Sequence, residues 1–128
     1  MEYKSLGNCG VKVSPLCLGA MMFGGQTNET DSIRIIQHAI DQGINFVDTA
    51  NVYGKGESER VVGKAIADRR TSLILATKGR HPMGEGPNEQ GASRVHLMYE
   101  LDASLKRLAT DYIDIYYTHT PDYNTSIE

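Results

Sequence analysis

The sequence predicts an α/β fold with a parallel sheet, and three observations lead to this class. Short, nearly continuous apolar segments alternate with longer segments whose apolar residues recur at helical spacing. Most of the short segments begin about 30 residues apart, the usual length of a strand–helix unit. Each helical segment follows a polar residue that can cap a helix. Apolar strands that alternate with amphipathic helices are typical of parallel sheets covered by helices.

The elements follow one another in a regular order along the chain. A Gly-Asn-Cys-Gly turn between two short segments favours an initial β-hairpin, and Gly43 is placed to end the first helix. A Leu stripe at helical spacing marks the third helix. The predicted elements are the hairpin over residues 3–13, strands over 16–20, 44–47, 73–76 and 113–117, and helices capped by Thr30 or Asp31, by Ser58 and by Ser93.

Length and composition indicate one globular domain over residues 1–128, with 40% hydrophobic and 23% charged residues and a formal net charge of −3. The chain has no dense Lys/Arg block and no apolar segment near the roughly 18 residues of a membrane span, so neither nucleic acid nor a membrane is a predicted partner. The N-terminus lacks the apolar core of a signal peptide, which makes the cytoplasm the expected location. Cys9 and Cys17 are expected to be reduced thiols.

The spacing of the predicted strands matches the repeating unit of a (β/α)₈ barrel. No G-x-G-x-x-G motif follows the first strand, which disfavours a dinucleotide-binding doubly wound sheet. A complete barrel needs about 250 residues, and four strands make about half of one. Thr125 to Glu128 have the spacing of a capping box, which opens a helix. We therefore expect the truncated N-terminal half of such a barrel, with a hairpin and about four βα units.

Ionisable side chains follow the ends of three predicted strands. Asp48 ends the second strand and Tyr53 comes shortly after it, Lys78 follows the third strand, and His119 follows the fourth. Each residue alone has an ordinary structural explanation. Because the loops after parallel strands converge on one face, the four side chains are expected to meet there.

These four residue types together can perform acid–base chemistry. An ammonium group about 4 Å from a phenol favours the tyrosinate by up to about 4 kcal/mol at an effective dielectric constant near 20. Asp48 would keep the Lys78 amine charged, and His119 would donate a hydrogen bond to a carbonyl oxygen. None of these side chains can deliver a hydride, so a nicotinamide cofactor is required. The predicted reaction is the reduction of a small carbonyl compound, with Tyr53 as the acid.

At these residues the chain resembles the N-terminal half of an aldo-keto reductase, over essentially its whole length. The similar stretches lie at residues 1–19, 46–59, 76–79 and 104–122. The resemblance implies a (β/α)₈ barrel that reduces aldehydes or ketones with NADPH. It also implies a catalytic tetrad in which Tyr53 is the general acid, Lys78 and Asp48 tune it, and His119 orients the carbonyl.

The resemblance further implies that Gly19, Ala20 and Met21, together with Asp48, line the nicotinamide end of the cofactor. Ala20 stands where the family commonly has a threonine, so a hydroxyl group is lost there. The residues that hold the rest of the nucleotide in the family lie in its second half.

Other polar residues are expected to have ordinary roles. No metal site is predicted, since His38, His81 and His96 lie in separate contexts without the spacing of metal ligands. The carboxylates Glu57, Glu59, Glu100 and Asp102 are expected to be solvated charges on helix surfaces.

Two alternatives to an active reductase remain open from the sequence. The first is a non-catalytic NADP(H)-binding regulatory subunit, because barrels that resemble this family also serve as channel-associated proteins. The second is an inactive fragment of a reductase. A half barrel would leave strand edges unpaired, so self-association through these edges is a further expectation.

Overall fold

A computed structural model describes residues 1–127 of the chain. It contains six strands and three α-helices within this range. In chain order they are β1 (Lys4–Ser5), β2 (Lys12–Val13), β3 (Leu18–Gly19), α1 (Glu29–Asp41), β4 (Phe46–Asp48), α2 (Glu57–Ile66), β5 (Ile74–Gly79), α3 (Arg94–Leu108) and β6 (Ile115–Thr118).

The main sheet has the strand order β3-β4-β5-β6, and all neighbouring strands are parallel. The first two strands form a separate antiparallel hairpin, as predicted. In the parallel register Asp48 is paired with Ala76, and Lys78 is paired with Tyr117. The carboxyl ends of β4, β5 and β6 therefore lie side by side at one edge of the sheet, and the predicted α/β class is confirmed.

The hydrophobic core lies between one face of this sheet and the helices. Because side chains alternate along a strand, Val47 and Leu75 point to the helices while Asp48 and Lys78 share the other face. Each fully buried Leu or Val contributes about 2 kcal/mol relative to an exposed position. Helices α2 and α3 approach so closely at Gly63 that a Cβ atom there would lie 2.5 Å from a backbone oxygen.

The predicted caps of the first two helices are wrong, for different physical reasons. The Asn28 side chain, rather than Thr30 or Asp31, caps α1, because its Oδ1 accepts the backbone N–H of Asp31 at 2.9 Å and starts the helix earlier. Ser58 lies inside the first turn of α2, where its buried hydroxyl donates to the backbone oxygen of Ala20 at 2.7 Å.

The cap of the third helix is confirmed. The Ser93 hydroxyl accepts the backbone N–H of His96 at 3.2 Å, and α3 begins at Arg94. The helix start predicted at Thr125 includes Glu128, which lies outside the described residues.

Candidate active site

The carboxyl edge of the main sheet carries the four ionisable side chains singled out by the sequence. Asp48 is the last residue of β4, Lys78 lies near the end of β5, and His119 follows β6. Tyr53 stands in the turn between β4 and α2. The parallel register brings the four side chains together, which the spacing of the strands predicts. Their catalytic roles stay a prediction.

The Lys78 ammonium group is at the centre of the cluster. It donates to the Asp48 carboxylate, to the backbone oxygen of Thr49 at 2.9 Å, and to the Tyr53 phenol oxygen at 3.3 Å. The Lys78 and Asp48 side chains are 15% and 23% exposed. An ammonium group has three N–H donors, and three acceptors surround this one, so the cation is fixed in place beside the phenol.

A sharp turn positions Tyr53. The next residues, Gly54, Lys55 and Gly56, have φ angles of 57°, 54° and 97°, all in the left-handed region. This turn leads the chain directly from the phenol-bearing residue into α2 and forms the βα connection. The backbone N–H of Asn51 donates to the oxygen of Lys78 at 3.2 Å, which ties the Tyr53 loop to β5.

A buried polar network anchors this loop to the helix layer. The Asn51 amide donates to the Glu100 carboxylate at 2.8 Å, and the Arg107 guanidinium donates to Glu59 at 2.5 Å. Glu59 and Glu100 are 0% and 4% exposed, so their assignment as solvated helix charges is wrong.

Burial, and then the nearby Glu100 charge, raises the pKa of Tyr116 to about 12. This tyrosine is therefore a neutral structural group.

His119 lies against the phenol. Its ring meets that of Tyr53 edge to face, with 5.6 Å between the centroids and an interplanar angle of 86°. Burial, followed by the neighbouring His81 and Lys78, lowers the pKa of His119. The ring is thus neutral at pH 7 and carries one N–H donor. Within residues 1–127 its buried Nδ1 has no hydrogen-bond partner.

His81 is a site residue that the sequence reasoning missed. Its ring lies 4.4 Å from that of His119, centroid to centroid, with an interplanar angle of 58°. The sequence did contain a signal, because His81 follows Lys78 by three residues in the loop after β5. Loops at this end of parallel strands shape the substrate site.

The residues predicted to line the nicotinamide differ in their exposure. Gly19 and Met21 are exposed, and a Cβ atom at Gly19 would meet no atom within 4 Å, so a flat ring has room beside it. Ala20 is fully buried in the hydrophobic core, and its backbone N–H donates to the oxygen of Asp48 at 2.8 Å. The backbone of Ala20 thus supports Asp48, while its side chain offers no surface to a cofactor.

A large surface groove lies elsewhere. It has a volume of about 830 Å³ and includes Arg70 and Tyr112, which precede β5 and β6 at the amino end of the sheet. None of the four clustered residues lines it, and their chemistry makes the carboxyl edge the candidate site.

Within residues 1–127 no set of three or more His, Cys, Asp or Glu side chains could hold a metal ion. None of the described helices has the length and apolar character that crossing a membrane requires.

Comparison with known sequences identifies the family. The sequence model described as "Aldo/keto reductase family" matches residues 15–128. The chain belongs to the aldo-keto reductase family. An aldo-keto reductase of Bacillus subtilis, YhdN, is 43% identical over 134 residues, which cover 100% of this chain and 40% of that protein. An Arabidopsis thaliana protein named "Probable voltage-gated potassium channel subunit beta" is 44% identical over 132 residues, again 100% of this chain and 40% of the relative.

A solved structure supports the same assignment. An aldo-keto reductase from Bacillus halodurans, in its holo form, has a TM-score of 0.85 and 38% sequence identity to this aldo-keto reductase chain. The match covers 99% of this chain and 43% of that protein, which confirms the predicted partial barrel. The chain thus spans about two fifths of the length of the relatives it matches.

Proposed function

We propose that this aldo-keto reductase chain provides the acid–base machinery for reducing aldehydes or ketones to alcohols with hydride from NADPH. The observation that carries the proposal is the Lys78 ammonium nitrogen, which lies 3.3 Å from the Tyr53 phenol oxygen while it is also paired with Asp48. The proposed compartment is the cytoplasm, as the sequence predicts.

Tyr53 is the proposed proton donor. Because Lys78 donates to the phenol oxygen, the phenol O–H is free to point away from the lysine and toward a substrate. After the proton has moved to the carbonyl oxygen, the ammonium group stabilises the remaining tyrosinate. The ion pair with Asp48 holds the ammonium group beside the phenol, where the negative charge develops.

His119 is the proposed orienting group. Its neutral ring lies beside the phenol, so an N–H directed at the same carbonyl oxygen would hold that oxygen within reach of the Tyr53 proton. Two donors on one oxygen polarise the carbonyl bond and stabilise the alkoxide character of the transition state.

The residues present fit the nicotinamide end of a cofactor. Gly19 and Met21 are exposed near Asp48, with open space above the glycine. Bound NADPH would supply the hydride to the carbonyl carbon, and this chain supplies the proton that completes the alcohol.

The test is NADPH oxidation with a panel of aromatic and aliphatic aldehydes and ketones. We expect absorbance loss with at least one substrate, and Tyr53→Phe should lower kcat by about 10² to 10⁴-fold because it removes the acid. Tyr123→Phe is the matched control, since that ring is 95% exposed and should leave kcat unchanged. Absence of turnover with every substrate would overturn the proposal for this chain.

A second candidate is a non-catalytic regulatory subunit that binds NADP(H). It is favoured by the relatives from Arabidopsis thaliana and Oryza sativa, which are named as potassium channel beta subunits and are 44% and 42% identical to this chain. NADPH binding, measured as a change in the fluorescence of the cofactor, would support this function over the reductase if it occurs without turnover and is insensitive to Tyr53→Phe. An inactive fragment would show neither binding nor turnover.

The 128-residue chain is also proposed to associate with itself. Within the described residues β3 pairs only with β4 and β6 only with β5, so both outer edges offer unpaired backbone groups. Tyr117, whose side chain lies on the same sheet face as Lys78, is 41% exposed and adds apolar surface. Light scattering should show a dimer or larger species, and a monomer at all concentrations would exclude this association.

A further inference from the structure

His81 packs directly on one member of the proposed tetrad. It lies in the loop after β5, it is partly buried, and its ring centroid is 4.4 Å from that of His119. Nothing in the proposed proton transfer uses it. A second titratable ring in contact with the carbonyl-orienting residue therefore calls for an explanation of its own.

The loop that carries His81 is fixed at both of its ends. The backbone N–H of Gly91 donates to the oxygen of Arg80 at 2.8 Å, which closes the loop on itself. The Asp122 carboxylate accepts the backbone N–H of Ala92 at 2.7 Å, which ties the loop to the segment after β6. His81 is consequently held against His119 by backbone hydrogen bonds on both sides of the loop.

The groups that face His119 come from every neighbouring element. Tyr53 lies at its edge from the turn after β4, and His81 lies on it from the loop after β5. Lys78 on β5 and Asp48 on β4 act on it through their charges. Two of these four groups, His81 and Lys78, oppose a positive charge on the ring, and only Asp48 favours one.

We propose that His81 is a positioning residue which acts through His119: its ring holds the His119 ring in place by contact and, at pH values where both rings could carry a proton, opposes a second positive charge there. The proposal rests on the proposed reductase function. A neutral imidazole can orient the carbonyl with its N–H while Tyr53 remains the proton donor. A second cation beside Lys78 would instead compete for the tyrosinate and for the Asp48 carboxylate.

Three substitutions separate the contact from the charge. His81→Phe keeps a flat ring of similar width but cannot carry a charge, and His81→Gln removes both the ring and the charge. His81→Arg carries a permanent positive charge. A role in packing alone predicts that Phe behaves like the wild type. The proposed role predicts that Phe and Gln shift the titration of His119 in the same direction and that Arg shifts it in the opposite one.

The experiment is an NMR pH titration of the four histidine rings in the whole chain. The signals are assigned from single substitutions of His38, His81, His96 and His119. We expect His119 to titrate below the ordinary value of about 6.5, to rise by about half a pH unit in His81→Gln and His81→Phe, and to fall further in His81→Arg. His38→Gln, on the exposed face of α1, is the control and should leave the His119 titration unchanged.

The pH profile of carbonyl reduction gives the second readout. The acidic limb of kcat/KM should move by the same amount and in the same direction as the His119 titration in each variant. An unchanged titration in both Gln and Arg variants, or a shift of the same sign in both, would overturn the proposal. A pH profile that does not follow the titration would also overturn it. Absence of all turnover would instead remove the proposed function, and the NMR result would still decide whether the two histidines are coupled.

Discussion

The two ends of the main sheet each hold a cation paired with an aspartate. At the amino end Arg70 bonds Asp114 at 2.8 Å, with side chains 10% and 23% exposed. At the carboxyl end Lys78 pairs with Asp48, with side chains 15% and 23% exposed. Similar exposure and the same charges therefore occur in both places. The difference lies in what else each cation contacts.

The pair at the amino end is a closed structural cluster. The Asp114 carboxylate also accepts a backbone N–H, and the guanidinium lies 3.8 Å from the centroid of the Tyr112 ring. The other acceptors of the Arg70 donors are the Thr110 hydroxyl and the backbone oxygens of Leu73 and Tyr112. The acceptors of the Arg70 donors are a carboxylate, a hydroxyl and two backbone oxygens, with no phenol or imidazole among them, so the cluster holds the start of β5 against the start of β6.

The pair at the carboxyl end is open to chemistry. One of the three acceptors of Lys78 is the Tyr53 phenol, which can gain and lose a proton, and an unpartnered imidazole nitrogen of His119 lies close by among the described residues. Burial and charge pairing occur at both ends of the sheet and do not by themselves mark a site. A titratable partner within hydrogen-bond distance of the cation is what distinguishes the proposed site.

Removal of the cation at the carboxyl end should have the largest effect. Lys78→Met leaves the tyrosinate without its counter-ion, and we expect kcat/KM for carbonyl reduction to fall by about 10² to 10³-fold. Steady-state kinetics on protein whose folding has been checked by circular dichroism measures this. Lys64→Met, which removes an exposed cation paired with Glu29, is the control. A loss smaller than tenfold in Lys78→Met would break the distinction between the two ends.

Removal of the cation at the amino end should act on stability. Arg70→Met leaves the Asp114 carboxylate and two backbone oxygens without their charged donor, and we expect the free energy of unfolding to fall by about 3 kcal/mol. Urea denaturation measures it. Arg69→Met is the matched control, because that neighbouring arginine pairs with Asp41 at the surface and its loss should not move the midpoint. An equal shift in both variants would mean that the amino-end cluster is no more than a surface ion pair.

The sequence predicts the parts of this molecule that depend on local pattern. Polar residues at the ends of apolar segments predict Asp48, Lys78 and His119 as site residues. The parallel arrangement of the strands predicts that their side chains lie close together. The buried network between Asn51 and Glu100 was missed because those residues lie 49 positions apart. Whether a helical carboxylate is solvated or buried depends on which helix packs against it.

The same limit explains the other differences. Asn28 caps α1 in place of Thr30 or Asp31, because its Oδ1 accepts the backbone N–H of Asp31, and the sequence offers all three capping residues within a single turn. His81 was missed because its contact with His119 depends on the folding of a long loop. Local periodicity thus predicts elements and strand ends, and tertiary packing decides which polar groups meet.

A thiol reports on the electrostatics of the carboxyl end. Although Cys17 is an exposed residue, partial burial of its thiol, and then the Asp48 charge, raises the pKa of Cys17 to about 11, and Lys78 partly opposes this. At pH 8 a smaller fraction of Cys17 is thiolate in the folded chain than in the unfolded chain. A more basic thiolate is a stronger nucleophile, but this offsets only part of the fall in thiolate concentration. We expect iodoacetamide to alkylate Cys17 about tenfold more slowly in the folded chain than in urea, as measured by peptide mass spectrometry. A rate equal to that in urea would show that the thiol is free of both influences.

The smallest expected effect concerns the loop that carries His81. Backbone N–H groups of Ala92 and Asn124, followed by the Thr125 hydroxyl, bond to the Asp122 carboxylate and lower its pKa. Because the pKa in the folded chain lies below that in the unfolded chain, the carboxylate stabilises the fold above about pH 4, and this contribution is lost as the pH falls through the folded value.

Asp122→Asn directly tests the direction of this pH dependence of stability. The amide can still accept a hydrogen bond, but it has no charge to lose, so the variant should be slightly less stable than the wild type at pH 5 and should approach it at pH 2. The difference in thermal midpoint between the two proteins at each pH measures the effect, because contributions of the other carboxylates cancel in that difference. A constant difference across this range would mean that Asp122 holds the loop through hydrogen-bond geometry alone. A widening difference toward low pH would contradict the assigned direction of its pKa.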